Sequence, residues 1–179
     1  MAKKKVAKKK PARKAARQAR RKVEAVPKAY GSVTAALAVG GAANAIAFYA
    51  KAFGAKELSR MPGPDGKLMH AEVRIGDTIV MLGDEAPEMG SPSPQTLSGS
   101  PVSLMLYVKD VDAVFARAVA AGAKPVMPPA DMFWGDRYGT VTDPFGHRWS
   151  IATHKADLTA KQMMKAMNEW LATQGPSPG

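Results

Sequence analysis

The chain has 179 residues, with 26 Lys and Arg against 15 Asp and Glu and a formal net charge of +11. Residues 1–28 hold 13 of the basic residues and one acid, Glu24, a net of +12, while the remainder is close to neutral at −1; a basic globular face is thereby excluded as the source of the high pI. There is no cysteine, which excludes disulfides, thiolate nucleophiles and cysteine-held zinc or iron–sulfur centres, and three histidines (His70, His147 and His154) leave little material for a metal site.

Residues 1–28 are Lys, Arg and Ala interrupted by Pro11 and Pro27. Such a segment cannot bury enough apolar surface to offset its ordering entropy, so disorder is predicted, with Ala12 to Val26 able to turn helical on a polyanion. Without aromatic residues it would grip phosphates without reading bases, so non-specific nucleic-acid binding through residues 1–28 is expected; the alternative is a solvated extension with no partner. Val33 to Ala50 then runs 18 residues without a charge, long enough to raise the question of a membrane span or a secretion signal with a cleavage site at Ala43-Asn44-Ala45. Gly40, Gly41, Asn44 and the scarcity of large apolar residues argue against both. A cytoplasmic protein with no membrane partner is the expectation.

Val33–Val39 reads as a buried strand, and Asn44–Phe53 as a helix carrying Ile46, Phe48, Tyr49 and Phe53 on one side, with Gly54 as its cap. Ala55–Arg60 is a short strand, Met61–Gly66 is dense in turn residues, and Leu68–Ile75 and Thr78–Gly83 flank a hairpin turn at Gly76-Asp77. Ala86–Pro101, rich in Pro, Ser and Gly, is a linker. The order then recurs: a strand over Val102–Val108, a helix over Val111–Ala121 capped by Gly122, a short strand over Lys124–Met127 stopped by Pro128-Pro129, and strands over Tyr138–Thr142 and His147–Thr153 around the turn Asp143-Pro-Phe-Gly146. Gly54-Ala-Lys56 and Gly122-Ala-Lys124 close the two helices alike. The predicted organisation is a tail over 1–28, a domain over 29–155 built of module one (33–85), the linker (86–101) and module two (102–154), and a closing segment over 156–179. That segment is an amphipathic helix to Gln174, docked on its own domain or on a second subunit, followed by a frayed end. The fold class is α+β.

Two tandem β-α-β-β-β modules are the pattern of the vicinal oxygen chelate superfamily, which includes glyoxalase I, extradiol dioxygenases and the bleomycin- and fosfomycin-resistance proteins. Ala45-Ile-Ala-Phe-Tyr-Ala-Lys-Ala-Phe-Gly-Ala55 resembles that superfamily's first helix and cap, and Asp143-Pro-Phe-Gly146 its last hairpin turn. Met61–Gly66, Phe133–Tyr138 and Gly146–Trp149 resemble the PhnB-like branch. The resemblance covers Val33 to Thr153 and implies a curled mixed sheet around a cavity, with the C-terminal helix and the disordered basic tail outside it. Metal-dependent members place one ligand on the first and last strand of each module; carried over, these positions are Thr34, Met81, Ser103 and Ser150. None is His, Asp or Glu, and Thr and Ser hydroxyls are poor ligands for divalent metals. The resemblance therefore implies a member without the usual metal centre, with no cofactor, no metal ligand and no assigned catalytic residue.

Several residues remain as candidates for ligand binding. His70 and Glu72 share one side of a strand and would place an imidazole beside a carboxylate, as a cavity patch or as an exposed pair. Phe133, Trp134, Arg137 and Tyr138 would suit a planar or anionic ligand, or would plug a loop with Arg137 paired to Asp131 or Asp136. His147 and Trp149 flank the last ligand position, as ligand contacts or as ordinary structure. Three functions are compatible with this sequence. The first is a metal-free protein, a homodimer, binding an unidentified small molecule. The second is a lyase, isomerase or dioxygenase with a non-standard metal site drawn from His70, Glu72 and His147, which would then have to converge. The third is a nucleic-acid-associated protein tethered by its tail.

Overall fold

The computed structural model describes residues 24–174. The disorder and the induced helix expected of the basic tail fall mainly on residues 1–23, and the frayed end on residues 175–179, both outside the described residues. The first module consists of β1 (Ala36–Val39), α1 (Ala42–Phe53), β2 (Lys56–Pro62), β3 (Leu68–Ile75) and β4 (Thr78–Asp84). The second consists of β5 (Ser103–Tyr107), α2 (Val111–Ala120), β6 (Lys124–Asp131), β7 (Asp136–Thr142) and β8 (Arg148–His154), and α3 (Ala160–Gln174) follows. Each module forms its own mixed four-stranded sheet, ordered β1-β4-β3-β2 and β5-β8-β7-β6, with the first and last strands parallel and the rest antiparallel.

Several boundaries differ from the sequence reading: α1 begins at Ala42, β2 runs on through Met61 and Pro62 where a turn was expected, β7 begins at Asp136, and the closing helix begins at Ala160. The first strand begins at Ala36, and Val33 is 91% exposed. The strand β6 runs through Pro128-Pro129, where a stop was expected. Proline removes a ladder donor, but β6 is an edge strand whose register slips between Pro125 and Met127 and again between Met127 and Ala130, and an irregular edge is where a sheet tolerates proline.

Each sheet buries one face against its helix. The α1 side chains Ala45, Ile46, Tyr49, Ala52 and Phe53 meet Val39, Val73 and Leu82, and α2 contributes Val111, Val114 and Ala118 beside Val141, Trp149 and Ile151. These groups form one core across both modules, and burial of each large side chain stabilises the fold by about 1.5–3 kcal/mol. The modules are joined through α1 and the Asp143–Gly146 turn. Trp149 lies 4.6 Å from Phe53 and 5.5 Å from Tyr49 between ring centroids. Asp143, 3% exposed, accepts hydrogen bonds from Tyr49 Oη (2.8 Å), Trp149 Nε1 (3.0 Å) and the backbone N–H groups of Phe145 and His147 (2.9 Å each). Burial, followed by the carboxylate of Asp143, pushes the Tyr49 phenol pKa up.

The linker is ordered by Glu85, whose Oε2 accepts from Ser93 N (2.8 Å) and Thr96 Oγ1 (2.6 Å). It crosses onto the second module, where Gln95 Nε2 donates to the Pro144 carbonyl at 2.9 Å. Gly146 has φ 88°, and a Cβ there would stand 2.8 Å from Pro94 Cβ, so both the turn and the linker contact require glycine. At the other end, Thr159 and Gln162 cap α3 reciprocally: Gln162 Oε1 accepts from Thr159 N at 2.9 Å. The helix touches the domain through Trp170, which is itself exposed and whose ring lies 5.7 Å from that of Phe133, with Met167 half-buried and Met164 and Leu171 exposed. Among the described residues no helix is long and apolar enough to cross a membrane.

Candidate functional site

Side chains alternate across a strand, so the face turned away from the helices can be read from the register. In module one Ala36 lies opposite Met81 and Met81 opposite Glu72, which places Thr34, Ala36, Met81, Glu72 and His70 on that outer face. In module two Met105 lies opposite Ser150 and Ser150 opposite Thr140, which places Ser103, Met105, Tyr107, Ser150, Thr140 and Tyr138 there. The four positions at which the family resemblance expects ligands thus form two neighbouring pairs, Thr34 with Met81 and Ser103 with Ser150.

The module-one face carries a charged cluster. Glu72 Oε1 accepts from Tyr30 Oη at 2.7 Å and lies 3.2 Å from His70 Nε2. The Tyr30 hydrogen bond, then that of His70, holds the Glu72 carboxyl below its usual range, and the same contact raises the Tyr30 phenol. A pocket of about 430 Å³ lies between Thr34, Met81 and the segment around Val26, Pro27 and Tyr30. A larger cavity of about 1250 Å³ opens along the free edge of β1 beneath the linker, lined by Ala36, Leu68, Leu82, Leu97, Leu104 and others. His70 and Met81 border it on one side and His147 on another.

The module-two face carries a row of hydroxyls. Ser150 Oγ lies 3.0 Å from Ser103 Oγ and 2.7 Å from Tyr138 Oη. Beside them Asp136, 4% exposed, accepts from Tyr107 Oη (3.0 Å), Trp134 Nε1 (3.2 Å) and His154 Nδ1 (2.7 Å). The bond to Asp136, with a further one to Asp157 at 3.0 Å, raises the His154 pKa, and Asp136 likewise raises that of Tyr107.

The eight residues singled out from the sequence occupy five separate places. His70 and Glu72 are in contact on the module-one face. Phe133, Trp134 and Tyr138 form an edge-to-face row at 5.0 and 5.6 Å on the module-two side, with the Trp170 ring of α3 5.7 Å from Phe133 at its end. Arg137 points the other way, since neighbours in a strand alternate: Nε and Nη2 donate to Asp112 at 2.7 and 2.8 Å, and Nη1 to Asp131 at 3.3 Å. Those carboxylates raise its pKa and leave it unavailable to an anion at the aromatic row. His147 precedes β8 and spends Nε2 on the Ala38 carbonyl at 3.1 Å. Trp149, 3% exposed, belongs to the core, because Ser150 is the residue of that pair that faces outward. Sequence reasoning missed Tyr30, Tyr107, Asp136 and the pairing of His154. The alternation of Tyr138, Thr140 and Asp136 along one strand could have placed Asp136; nothing local points from Tyr30 to Glu72, 42 positions away.

The residues at the four expected ligand positions do not fit a divalent metal. They offer three hydroxyls and one soft thioether, and the two serines are already hydrogen-bonded to each other, with Ser150 also bonded to Tyr138. His70, Glu72 and His147 do not converge: among the described residues no three His, Asp or Glu side chains come close enough to hold a metal ion.

Comparison with known proteins agrees with this architecture. A model of the glyoxalase/bleomycin resistance protein/dioxygenase superfamily matches residues 31–151. The uncharacterized protein Mb0911c of Mycobacterium bovis is 50% identical over 135 residues, covering 74% of this chain and 89% of its own. Among solved structures, TioX from Micromonospora is 30% identical with a TM-score of 0.54, covering 72% of this chain and all of its own. The Arabidopsis thaliana gene product At5g48480 is also 30% identical, with a TM-score of 0.56, covering 69% of this chain and 98% of its own. The fosfomycin resistance protein FosX of Listeria monocytogenes, solved with Mn(II), shares the fold at 17% identity and a TM-score of 0.55, covering 76% of this chain and 97% of its own.

Proposed function

Because this chain belongs to the glyoxalase/bleomycin resistance protein/dioxygenase superfamily, we propose that it is a small-molecule-binding member that works without a bound divalent metal. Its ligand lies on the outer faces of the two sheets, contacts His70, Glu72 and Met81 in module one, and extends into the apolar cavity along β1. The observation that carries this reading is the register of β1 with β4 and of β5 with β8, which sets Ala36 opposite Met81 and Met105 opposite Ser150, so that Thr34 and Ser103, two residues earlier on the same faces, neighbour Met81 and Ser150 and no carboxylate or imidazole stands at the four positions where a metal would need one. The cavity's wall is mostly apolar in surface and also carries the charged side chains Asp65, Lys67, Asp84, Glu85 and Glu88, and a mainly apolar cavity with polar groups that fix orientation is the usual form of a small-ligand site. The test is elemental analysis of the purified protein together with a thermal-shift screen. The expected result is less than about a tenth of an equivalent of Zn, Ni, Mn or Fe, with stabilisation by one class of organic ligand. A stoichiometric, tightly held transition metal would overturn the reading.

Homodimerisation and cytoplasmic residence belong to the same proposal. Met61, Met105 and Tyr107 are exposed on the outer faces, and the free edges of β1 and β5 are unpaired among the described residues; a second copy would cover such surface. Light scattering should give twice the chain mass. A second reading, tethering to nucleic acid, is favoured by the +12 charge of residues 1–28. Deleting them should abolish DNA retention at low salt.

A further inference from the structure

The segment before β1 crosses the outer face of module one and joins the sheet only at its end, where the Ala35 carbonyl accepts from Met81 N at 2.9 Å. It makes a tight turn, with Tyr30 N donating to the Pro27 carbonyl at 3.0 Å. Of its apolar side chains Val26 and Val33 are exposed, and Ala35, next to β1, packs against the core. The polar anchor is Tyr30, whose hydroxyl donates to Glu72 Oε1 at 2.7 Å and places a phenol beside His70. A charge-assisted hydrogen bond of this length is among the stronger contacts a surface segment can make. The pocket of about 430 Å³ lies directly under this segment, bounded by Thr34 and Met81, two of the positions that face a ligand in the reading above.

We propose that residues 24–35 form a strap whose Tyr30 phenol occupies the Glu72 subsite as a built-in stand-in for a ligand, so that the site takes a hydroxyl-bearing aromatic compound and opens when Tyr30 leaves. The class follows from the group already seated there: a ring over the outer face, with one hydroxyl donating to an ionised carboxylate. The inference rests on the small-molecule reading for its ligand, but the strap itself can be tested without any ligand. Ligand and strap compete for one acceptor. A tethered group competes at the millimolar effective concentration typical of a short linker, and the apparent affinity of an external phenol falls by the fraction of time the subsite is occupied.

The test uses the full-length chain, its Tyr30→Phe and Glu72→Gln variants, and 4-methylphenol, the tyrosine side chain itself, as probe. Hydrogen exchange of the amides in residues 24–35 reads the strap, and titration followed by NMR reads the probe. Both variants should raise exchange in residues 24–35 by roughly tenfold and leave the core amides unchanged. Tyr30→Phe should bind 4-methylphenol roughly 5–10-fold more tightly than the wild type, Glu72→Gln should bind it more weakly than either, and the probe should raise strap exchange in the wild type. Unchanged strap exchange in both variants would overturn the proposal whatever the protein binds. A loosened strap with equal probe affinity in wild type and Tyr30→Phe would also overturn it, leaving Tyr30 as a structural tie only. If the phenol binds without moving the strap, the small-molecule reading stands and this inference fails.

Discussion

The two modules share one chain path and carry different chemistry on it. Residues 69 apart occupy the same place in the two sheets: Ala36 and Met105 on the first strands, Met81 and Ser150 on the last. On the outer faces, module one sets Glu72 and His70 under a tyrosine from outside its sheet, whereas module two sets Tyr138, Ser150 and Ser103 in a self-contained hydroxyl row. The inner faces differ as well. The module-two hairpin turn carries a buried carboxylate that binds α1 of the other module, and the module-one turn at Gly76-Asp77 is exposed, with Asp77 meeting only its neighbour Thr78. The two modules share a strand order and one core, and they differ on their outer faces and where the halves join.

The largest asymmetry should lie in these turns. Asp143→Ala leaves Tyr49 Oη, Trp149 Nε1 and two backbone N–H groups without their acceptor in a nearly closed site. Each unmet buried donor costs on the order of 1 kcal/mol or more, so a loss of about 3 kcal/mol or more is expected in urea denaturation. Asp77→Ala, at the corresponding turn, should stay within about 0.5 kcal/mol. Equal losses would mean that the Asp143 turn does not join the modules.

Helix capping offers a smaller contrast. Asp84, at the end of β4, accepts from Gly41 N (2.8 Å), Ala42 N (2.9 Å) and Leu68 N (2.7 Å), serving the start of α1, where no side chain of the helix's own does so. Thr153, 69 positions on, accepts from Val111 N at 2.9 Å, and α2 has a second cap in Asp110, which accepts from Ala113 N at 3.0 Å. Asp84→Ala should therefore cost about 1–2 kcal/mol and Thr153→Ala about 1 kcal/mol or less, read as midpoint shifts in the same denaturation series.

The repeat was legible because its signals are local: a glycine after each helix, turn residues between strands, and period-two alternation within them. The outer-face positions were legible too, since counting along an alternating strand from one fixed point gives Met81 and Ser150. Failures came where a neighbour distant in sequence decides. Pro128-Pro129 reads as a stop until β6 is known to be an irregular edge. Trp149 was grouped with the site although Ser150 next to it already faces outward, and period two forbids both. Arg137 was grouped with Tyr138 for the same reason, and its partner Asp112 sits on α2, 25 positions away. The 42-position link from Tyr30 to Glu72 depends on how the segment before β1 lies, which no periodicity encodes.

The last pair of equivalent positions gives the smallest effect, and one whose sign differs between modules. Glu85 and His154 each follow the same point of a module's last strand, and each ties down the segment after it: Glu85 holds the linker through Thr96 and Ser93, and His154 holds the approach to α3 through Asp157 while anchored on Asp136. The hydrogen bond from Thr96, then those from Ser93, lowers the Glu85 pKa, so its stabilising contribution is present above the ordinary carboxylate value of 4.5 and is lost as the pH falls through the lowered one. Asp136, then Asp157, raises the His154 pKa, so its contribution is complete below the ordinary value of 6.5 and is lost as the pH rises through the raised one. The charged groups facing His154 are Asp136 from β7 and Asp157 from the approach to α3, with Tyr107 of β5 sharing Asp136. A neutral imidazole has one N–H and cannot donate to both carboxylates, and the exposed Asp157 is the contact it gives up. Amide protection factors should therefore fall in residues 86–101 on acidification and in residues 155–159 on mild alkalinisation, with the core unchanged in both cases. Glu85→Gln should abolish the first dependence and His154→Gln the second. If both segments loosen at the same end of the pH range, the two modules do not hold their following segments by opposite charges, and the comparison breaks at this point.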